Sequence, residues 1–492
     1  MRVGIVGGGV GGMITGLLLL EKGYDVTIFE KSDRLGGRLR YVEHEGYRID
    51  QGPTIVLLPD MLRDILQAAG VSIDQYSLQA CDPLYSIQFA DGNTFTKRAN
   101  LDEQLAEIER VFPGQSNGFS RFMKDMEQRF SIGHPAFLKK QFIRKSDFWT
   151  TKNLKAMLKL KAYQTADQFL KSYFDNEQLR LAYSLQTLYI GGNPYATPAM
   201  YNLISYSEHA HGIYYVKGGY ASLVKVLHDT LEAKGAIIYT KTQVDEVVVE
   251  GDVATGVVSD NRLYEFDSVI LNGDFPIASK LLKKRSGSER KFTPSSGCLL
   301  LYMGIDKVYK DNNVHQFFLP DNFEQTMTDI FIKKQIPENP SFYTFHPSII
   351  DDSLAPAGKG VMYMLVPVPS GDHIDWESQK DRLVDQILQE AETKGFPGLR
   401  GAIEWLEVRT PQDSARDGLF AGGSFGIAPT LFQSGVFRPQ VKPYDIDNLF
   451  AVGASIHPGG GIPIVMQGAM LCAEEASKYS QSIQQQYAEI SR

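Results

Sequence analysis

Cysteine is scarce in this chain, and its three copies, Cys81, Cys298 and Cys472, stand far apart. An odd, scattered set excludes a disulfide framework and a thiolate metal cluster, and it fits a reducing compartment. Positive charge is in deficit: 50 Lys and Arg face 58 Asp and Glu, a net charge of −8. Such a balance argues against a nucleic-acid partner. No apolar run is long enough to span a bilayer, and no internal repeat or low-complexity stretch is found. The apolar run after Met1-Arg2 is too rich in glycine for a signal peptide, and it reads as a strand and a helix. No catalytic triad or metal-ligand spacing stands out, and no metal is expected. What remains is an ordinary globular composition, 43% hydrophobic and 22% charged over 492 residues, enough for two or three domains.

Most of the information lies in the first fifty-four residues. Residues 3–6 read as a buried strand, and Gly7-Gly8-Gly9-Val10-Gly11-Gly12 follows at once. An apolar helix runs from Met13 to about Glu21, and a second strand over 26–29 ends on Glu30. This is a βαβ unit with Gly7, Gly9 and Gly12 in the G-x-G-x-x-G places and an acid eighteen residues after the last of them. Gly7 permits the tight turn, Gly9 lets the backbone approach a pyrophosphate, and Gly12 lets helix and strand pack closely. The helix start offers free N–H groups and a positive dipole end to phosphates, and Glu30 can accept from ribose hydroxyls. A glycine-rich turn without a ligand is the competing reading. The strand before, the helix after and the acid at its distance argue against it.

Lys31-Ser32-Asp33-Arg34-Leu35-Gly36-Gly37-Arg38 follows the acid directly. A second glycine pair with flanking cations can wrap back over a cofactor, since glycine allows close backbone approach and a guanidinium suits phosphate or flavin edges. Asp50-Gln51-Gly52-Pro53-Thr54 adds another tight, polar turn. The whole run resembles the flavoprotein family of amine oxidases, protoporphyrinogen oxidases and carotenoid desaturases. That resemblance implies FAD, held by Gly7, Gly9, Gly12, Glu30, Lys31, Arg34, Gly36, Gly37, Arg38, Pro53 and Thr54. It also implies backbone contacts from Val244 to the adenine.

Residues 80–210 are mostly helical in pattern, with prolines at turns and helix starts. A helical run over 221–235 leads into a strand at 236–240, a small meander over 244–266 and a buried strand at 268–272. Stretches 298–305, 341–346 and 361–368 are strand-like, with a charged helix at 375–394. The tail after about Tyr479 is polar and expected to fray. The expected fold is α/β: a Rossmann-like FAD-binding domain of the GR2 flavoprotein type, with an inserted α+β substrate domain and a helical membrane-facing region. The cofactor domain is assembled from 1–80, 212–275 and 431–492. Residues 81–211 form the helical region, and 276–430 form the sheet-containing domain.

The second strong signal begins at Asn448. It runs strand, Gly453-Ala454-Ser455-Ile456-His457-Pro458-Gly459-Gly460-Gly461, then a helix from about Pro463. Such a helix can aim its N-terminus at the N1/C2 edge of a reducing flavin and stabilise negative charge there. A second structural turn is the alternative. Gly453, Gly461, Ile462, Ile464 and Val465 are the candidate contacts. This string is similar to the closing motif of bacterial phytoene desaturases. Leu188 to Thr197, Gly212 to Gly219, Asp352 to Gly358 and Gln433 to Pro439 match the same family. The likeness therefore covers nearly the full length.

The resemblance implies an FAD-dependent enzyme of carotenoid biosynthesis. It would remove hydrogen pairs from phytoene or 4,4'-diapophytoene, with hydride passing to flavin N5 and a proton lost from the neighbouring carbon. A terminal-methyl oxidase of C30 carotenoids shares nearly all these motifs, and a flavin-bound carotenoid-binding protein without catalysis is a further alternative. With only one dinucleotide fingerprint there is no NADPH fold, so the implied electron acceptors are oxygen or a quinone. The aromatic fraction of 11% suits a polyene tunnel and suits an ordinary core equally.

Asp147, between basic and aromatic residues, is the candidate acid/base group by resemblance; an exposed helix cap explains it as well. Glu208, His209 and His211 cluster, but no further ligands accompany them. His457 is expected to shape its turn and His346 to be a satisfied core histidine. The segment from Phe137 to Lys161 carries eight cations, with Asp147 its only acid and aromatics interleaved. It reads either as a membrane-surface foot or as a solvated helical face. A bilayer-dwelling substrate favours the foot, and hence a cytoplasmic protein peripherally attached to the inner face of the membrane.

Overall fold

Five parallel strands form one sheet in the order Leu449–Ala451, Ser268–Leu271, Arg2–Val6, Asp25–Phe29, Ile237–Tyr239. The computed structural model describes residues 1–283 and 290–490, apart from a few side chains, those of Phe137 and Lys145 among them. Ser268–Leu271 is buried at every position, as a parallel strand covered on both faces must be. The helix Val10–Leu20 is buried from Val10 to Leu19, so it lies between the sheet and other helices rather than on the surface. It packs against the long helix Ile462–Ile490 and against Tyr220–Ala233. The sheet thus takes strands from three distant stretches of chain, and both glycine turns sit at its rim.

A second sheet has seven strands, ordered Ile403–Arg409, Gly297–Ile305, Gly360–Val368, Phe342–Phe345, His315–Phe318, Tyr85–Gln88, Thr94–Lys97. Its pairings are antiparallel except that between His315–Phe318 and Tyr85–Gln88. One face packs on the helix Trp376–Lys394, with Leu383, Ile387 and Ala391 buried. The other face meets helices of the 101–211 stretch through Phe119, Phe122, Phe174 and Tyr183.

Two departures from the sequence pattern have plain causes. The hairpin Tyr85–Gln88 and Thr94–Lys97 lies inside the stretch whose pattern is mostly helical. Its large side chains Tyr85, Ile87, Phe89, Phe95 and Lys97 are buried at alternate positions about an Asp91-Gly92 turn, a two-residue period of short reach, with the small Ser86 buried between them. The last helix continues to Ile490, past the tail expected to fray. After Gly468 it contains no glycine or proline to stop it. Among the described residues, no helix is long and apolar enough to cross a membrane.

Candidate active site

The first turn is shaped by collisions that only glycine avoids. Gly7 has φ +104°, and its N–H donates to the Phe29 carbonyl at 2.8 Å. A Cβ on Gly12 would stand 2.4 Å from the Gly7 carbonyl oxygen. Gly9 differs: a Cβ there would meet only Asn272 Nδ2, at 3.2 Å, and the residue faces a large cavity. Gly9 caps the helix Val10–Leu20, and no side chain takes the helix's first N–H groups. Asn272, at the end of the strand Ser268–Leu271, braces the turn by donating to Gly7 O at 2.8 Å and Gly9 O at 3.2 Å. Asn272 was not singled out from sequence; an amide just past a buried strand was the available signal.

Glu30 is 5% exposed at the cavity edge. Its carboxylate accepts from Gly8 N at 2.8 Å and Ser32 N at 2.9 Å, and Arg40 lies 3.9 Å away. The acid therefore holds the glycine turn as well as facing the site. Lys31 donates to Asp417 O at 2.8 Å, and Arg34 pairs with Glu43 at 3.2 Å, both at the cavity rim. The second glycine pair lies directly on the first. Gly36 N donates to Gly8 O at 2.9 Å, and a Cβ on Gly37 would come within 3.3 Å of Gly9 Cα. Arg38 lines the cavity, where its Nη1 donates to Ser424 O at 2.6 Å. Desolvation by the surrounding protein lowers its pKa, with Asp274 opposing the shift.

Gly453 (φ +134°) and Gly461 (φ +93°) turn the chain between the last strand and the last helix. They line the same cavity together with Ile462, Ile464 and Val465, and so do Pro53, Thr54 and Val244. Arg438, 4% exposed, also lines it and donates to Gln433 O at 3.0 Å and to Ala454 O. Its burial lowers its pKa, with Tyr201 and Asp274 opposing. His457 meets Lys140 O through Nε2 at 2.7 Å, which ties this turn to the basic segment.

The cavity measures about 1190 Å³. Pockets for one small ligand usually hold roughly 300–1,000 Å³. Away from the glycine turns its wall is apolar and aromatic: Leu300, Phe317, Tyr343, Tyr363 and Leu365 come from the second sheet, and Leu319 follows the end of one of its strands. Thr54 and Tyr343 hydroxyls meet at 2.7 Å, and Tyr343 continues to His315 Nδ1 at 2.6 Å. Leu138 and Leu160, from the basic segment, line another part of the wall.

Of the sequence candidates, Gly12 lies behind the cavity wall, where its role is packing, and Asp147 is not brought to the cavity. Asp147 is exposed and accepts from Arg144 N at 3.2 Å at the start of the helix Lys145–Phe148. Glu208, His209 and His211 do not converge. Glu208 pairs with Lys97 at 2.6 Å, His209 meets Arg98 O at 2.9 Å, and His211 lies against Phe130. His346 is buried, with Nδ1 bonded to Val361 O at 2.7 Å and Nε2 accepting from Tyr309 N at 3.1 Å. In the basic segment Trp149, Leu154 and Leu158 are exposed. Phe432, 68% exposed, joins them across Phe437, whose ring lies 5.7 Å from Phe432 and 6.4 Å from Trp149.

These residues fit a dinucleotide: a glycine cradle that a Cβ would fill, an uncapped helix start and two guanidinium groups lining the cavity. A second, opposed glycine turn and an apolar extension mark the class as a flavin-dependent oxidoreductase. Residues 10–477 match the family of flavin containing amine oxidoreductases. A protein of Metabacillus indicus named 4,4'-diapolycopen-4-al dehydrogenase is 56% identical over 471 residues, 96% of each chain. A 4,4'-diapophytoene desaturase (4,4'-diaponeurosporene-forming) of Staphylococcus haemolyticus is 32% identical, covering 96% of this chain and 98% of its own. The fold matches an oxidoreductase from Methanosarcina mazei (TM-score 0.68, 15% identity, 96% of this chain and 100% of that one). It also matches cyclohexylamine oxidase from Brevibacterium oxydans (TM-score 0.63, 15% identity, 97% and 99%). The chain belongs to the flavin-containing amine oxidoreductase family, in its carotenoid desaturase branch, and is an FAD-dependent oxidoreductase.

Proposed function

We propose that this enzyme takes hydrogen pairs from a linear C30 carotenoid of the 4,4'-diapophytoene type. The observation that carries the reading is a cavity of about 1190 Å³ that joins both glycine turns to an aromatic, aliphatic wall. Within it the turn at Gly7, Gly9 and Gly12, with Glu30 and Val244, would hold the adenosine diphosphate part of FAD. Gly36, Gly37, Arg38, Pro53, Thr54, Gly453, Gly461, Ile462, Ile464 and Val465 would hold the rest, with Lys31 and Arg34 at the rim. Bound FAD supplies a two-electron acceptor. The protein's own task is then to align a greasy chain and exclude water. Leu300, Phe317, Tyr343 and Tyr363 suit that task, because they offer surface without charge.

Oxidation at the terminal carbon is a second reading. It is favoured by the 56% identity to a relative named as a polyene-aldehyde dehydrogenase, against 32% to a desaturase. Anaerobic mixing of the FAD-loaded protein with diapophytoene and with a C30 polyene aldehyde tests both. Flavin bleaching with loss of two hydrogens from diapophytoene supports desaturation, and a product gaining oxygen from the aldehyde supports terminal oxidation. Bleaching by neither substrate overturns both.

The exposed Trp149, Leu158 and Phe432, beside a run of lysines, support attachment to the inner face of the cell membrane through the segment from Phe137 to Lys161. Leu138 and Leu160 carry the cavity wall into that same segment, a short route for a substrate stored in lipid. Oxygen or a membrane quinone would then take electrons onward. An acid/base role for Asp147 would require it to reach the polyene from its exposed cap.

A further inference from the structure

One buried cation of the cavity wall has no acid of its own. Arg438 is 4% exposed and lines the cavity. Its guanidinium donates to three main-chain carbonyls: Gln433 O at 3.0 Å, Ile427 O at 3.5 Å and Ala454 O. All three acceptors are neutral. Ala454 belongs to the second glycine turn, and a Cβ on Gly459 of that turn would stand 3.8 Å from Arg438 Nε. The cation is thus clamped to the turn, and a guanidinium keeps its proton inside proteins.

Three acids of the cavity lining each have an arginine. Glu30 stands 3.9 Å from Arg40, Glu43 stands 3.2 Å from Arg34, and Asp417 pairs with Arg409. Among the described residues, no carboxylate lies within 4 Å of Arg438 or of Arg38. Asp274 is the carboxylate whose charge reaches both. Its oxygens are taken by Phe420 N, at 2.8 Å, and by the Ser455 hydroxyl. Two cations and one acid leave this side of the cavity positive. An interior charge without a close partner is costly, and negative charge arriving in the cavity would offset that cost.

We propose that the Arg438 charge tunes the flavin, favouring reduced FAD and so making the bound cofactor a stronger oxidant. This rests on the reading that FAD reaches the turn at Gly453 and Gly461. Reduction brings electrons onto the ring, and a fixed cation in a low-dielectric wall stabilises them. The substrate class gives the reason. An amine nitrogen helps to expel hydride with its lone pair, whereas a polyene carbon has no such help and needs a stronger acceptor. Arg438 is a positioning residue in this scheme: it holds the turn's backbone and acts through space, without touching the polyene.

The flavin potential tests this in the FAD-loaded full-length protein, measured without substrate by anaerobic equilibration with a reference dye. Arg438→Gln removes the charge and can still donate to a carbonyl. It should shift the reduction equilibrium about tenfold toward oxidised FAD, near 30 mV for a two-electron couple. Arg438→Lys gives up most of the carbonyl bonds but keeps the charge, and should keep the parent potential. Asp274→Asn neutralises the opposing acid, so it should move the potential upward, whatever the folding of the Arg438 variants. Lower urea midpoints in both Arg438 variants, with the potential of their retained flavin unchanged, would overturn the proposal. So would weaker FAD binding at an unchanged potential, which would give the charge to the pyrophosphate, and so would an unchanged or lowered potential in Asp274→Asn. If the parent protein retains no FAD on gel filtration, the reading that this cavity holds the cofactor has failed instead.

Discussion

Gly12 and Gly7 approach so closely that a single added methyl on the first would stand 2.4 Å from the carbonyl oxygen of the second. Gly9, three residues before Gly12, has no such backbone neighbour and opens on the cavity. The two positions should therefore fail differently. Gly12→Ala should shift the turn and cost several kcal/mol of stability, in the range of overpacking damage of about 1–3 kcal/mol or more. Gly9→Ala should change stability by less than about 1 kcal/mol yet abolish retention of FAD. Urea midpoints and flavin absorbance after gel filtration read the two effects separately. Equal destabilisation by both would contradict the assignment.

The apolar surface formed by Trp149, Leu158 and Phe432 gives a second expectation. Leu158 and Phe432 are 66% and 68% exposed, so replacing them disturbs little packing. The double variant Leu158→Glu, Phe432→Ser should lose at least tenfold in binding to anionic liposomes, since each buried apolar side chain is worth roughly 1.5–3 kcal/mol. Sedimentation with liposomes at low salt measures this. Urea stability should stay within about 0.5 kcal/mol of the parent.

Acid should weaken the fold through two histidines. Protonating His346 at Nε2 would set it against the Tyr309 N–H it now accepts from. Burial pushes His346 from 6.5 down to about 4, and His315 down to about 3. Their contribution is full above the unfolded value near 6.5 and is lost as pH falls, at up to about 1.4 kcal/mol per pH unit for each. Asp50 works the other way. Burial raises it from 3.8 to about 7, against the hydrogen bonds from Tyr220 and Ala221, so its contribution is full at low pH and lost as pH rises. Between pH 4 and 6.5 the two histidines outweigh the one acid, and stability should rise with pH. His346→Gln should flatten that rise, and Asp50→Asn should steepen it, in urea titrations from pH 4.5 to 7.

The two glycine turns were legible because they depend on local rules. Gly7, Gly9 and Glu30 announce themselves by spacing along one βαβ unit, and Gly453 and Gly461 by position between strand and helix. The hairpin at 85–97 was missed because its alternation is short and sits among helical patterns. Asn272 was illegible for another reason. Its meaning comes from Gly7, a partner 265 residues away, and spacing carries no trace of such a contact. Asp147 shows the converse: a suggestive neighbourhood in the chain, and a surface cap in space.

The edge strand Leu449–Ala451 pairs with Ser268–Leu271, which in turn pairs with Arg2–Val6. A nascent chain emerging from the ribosome can fold its first βαβ unit early, but the opposing jaw follows more than four hundred residues later. If both turns hold FAD, its capture would be a late event in biogenesis. Until then the apolar cavity would stand open at that end, and the yield of folded protein should depend on prompt supply of the vitamin-derived nucleotide.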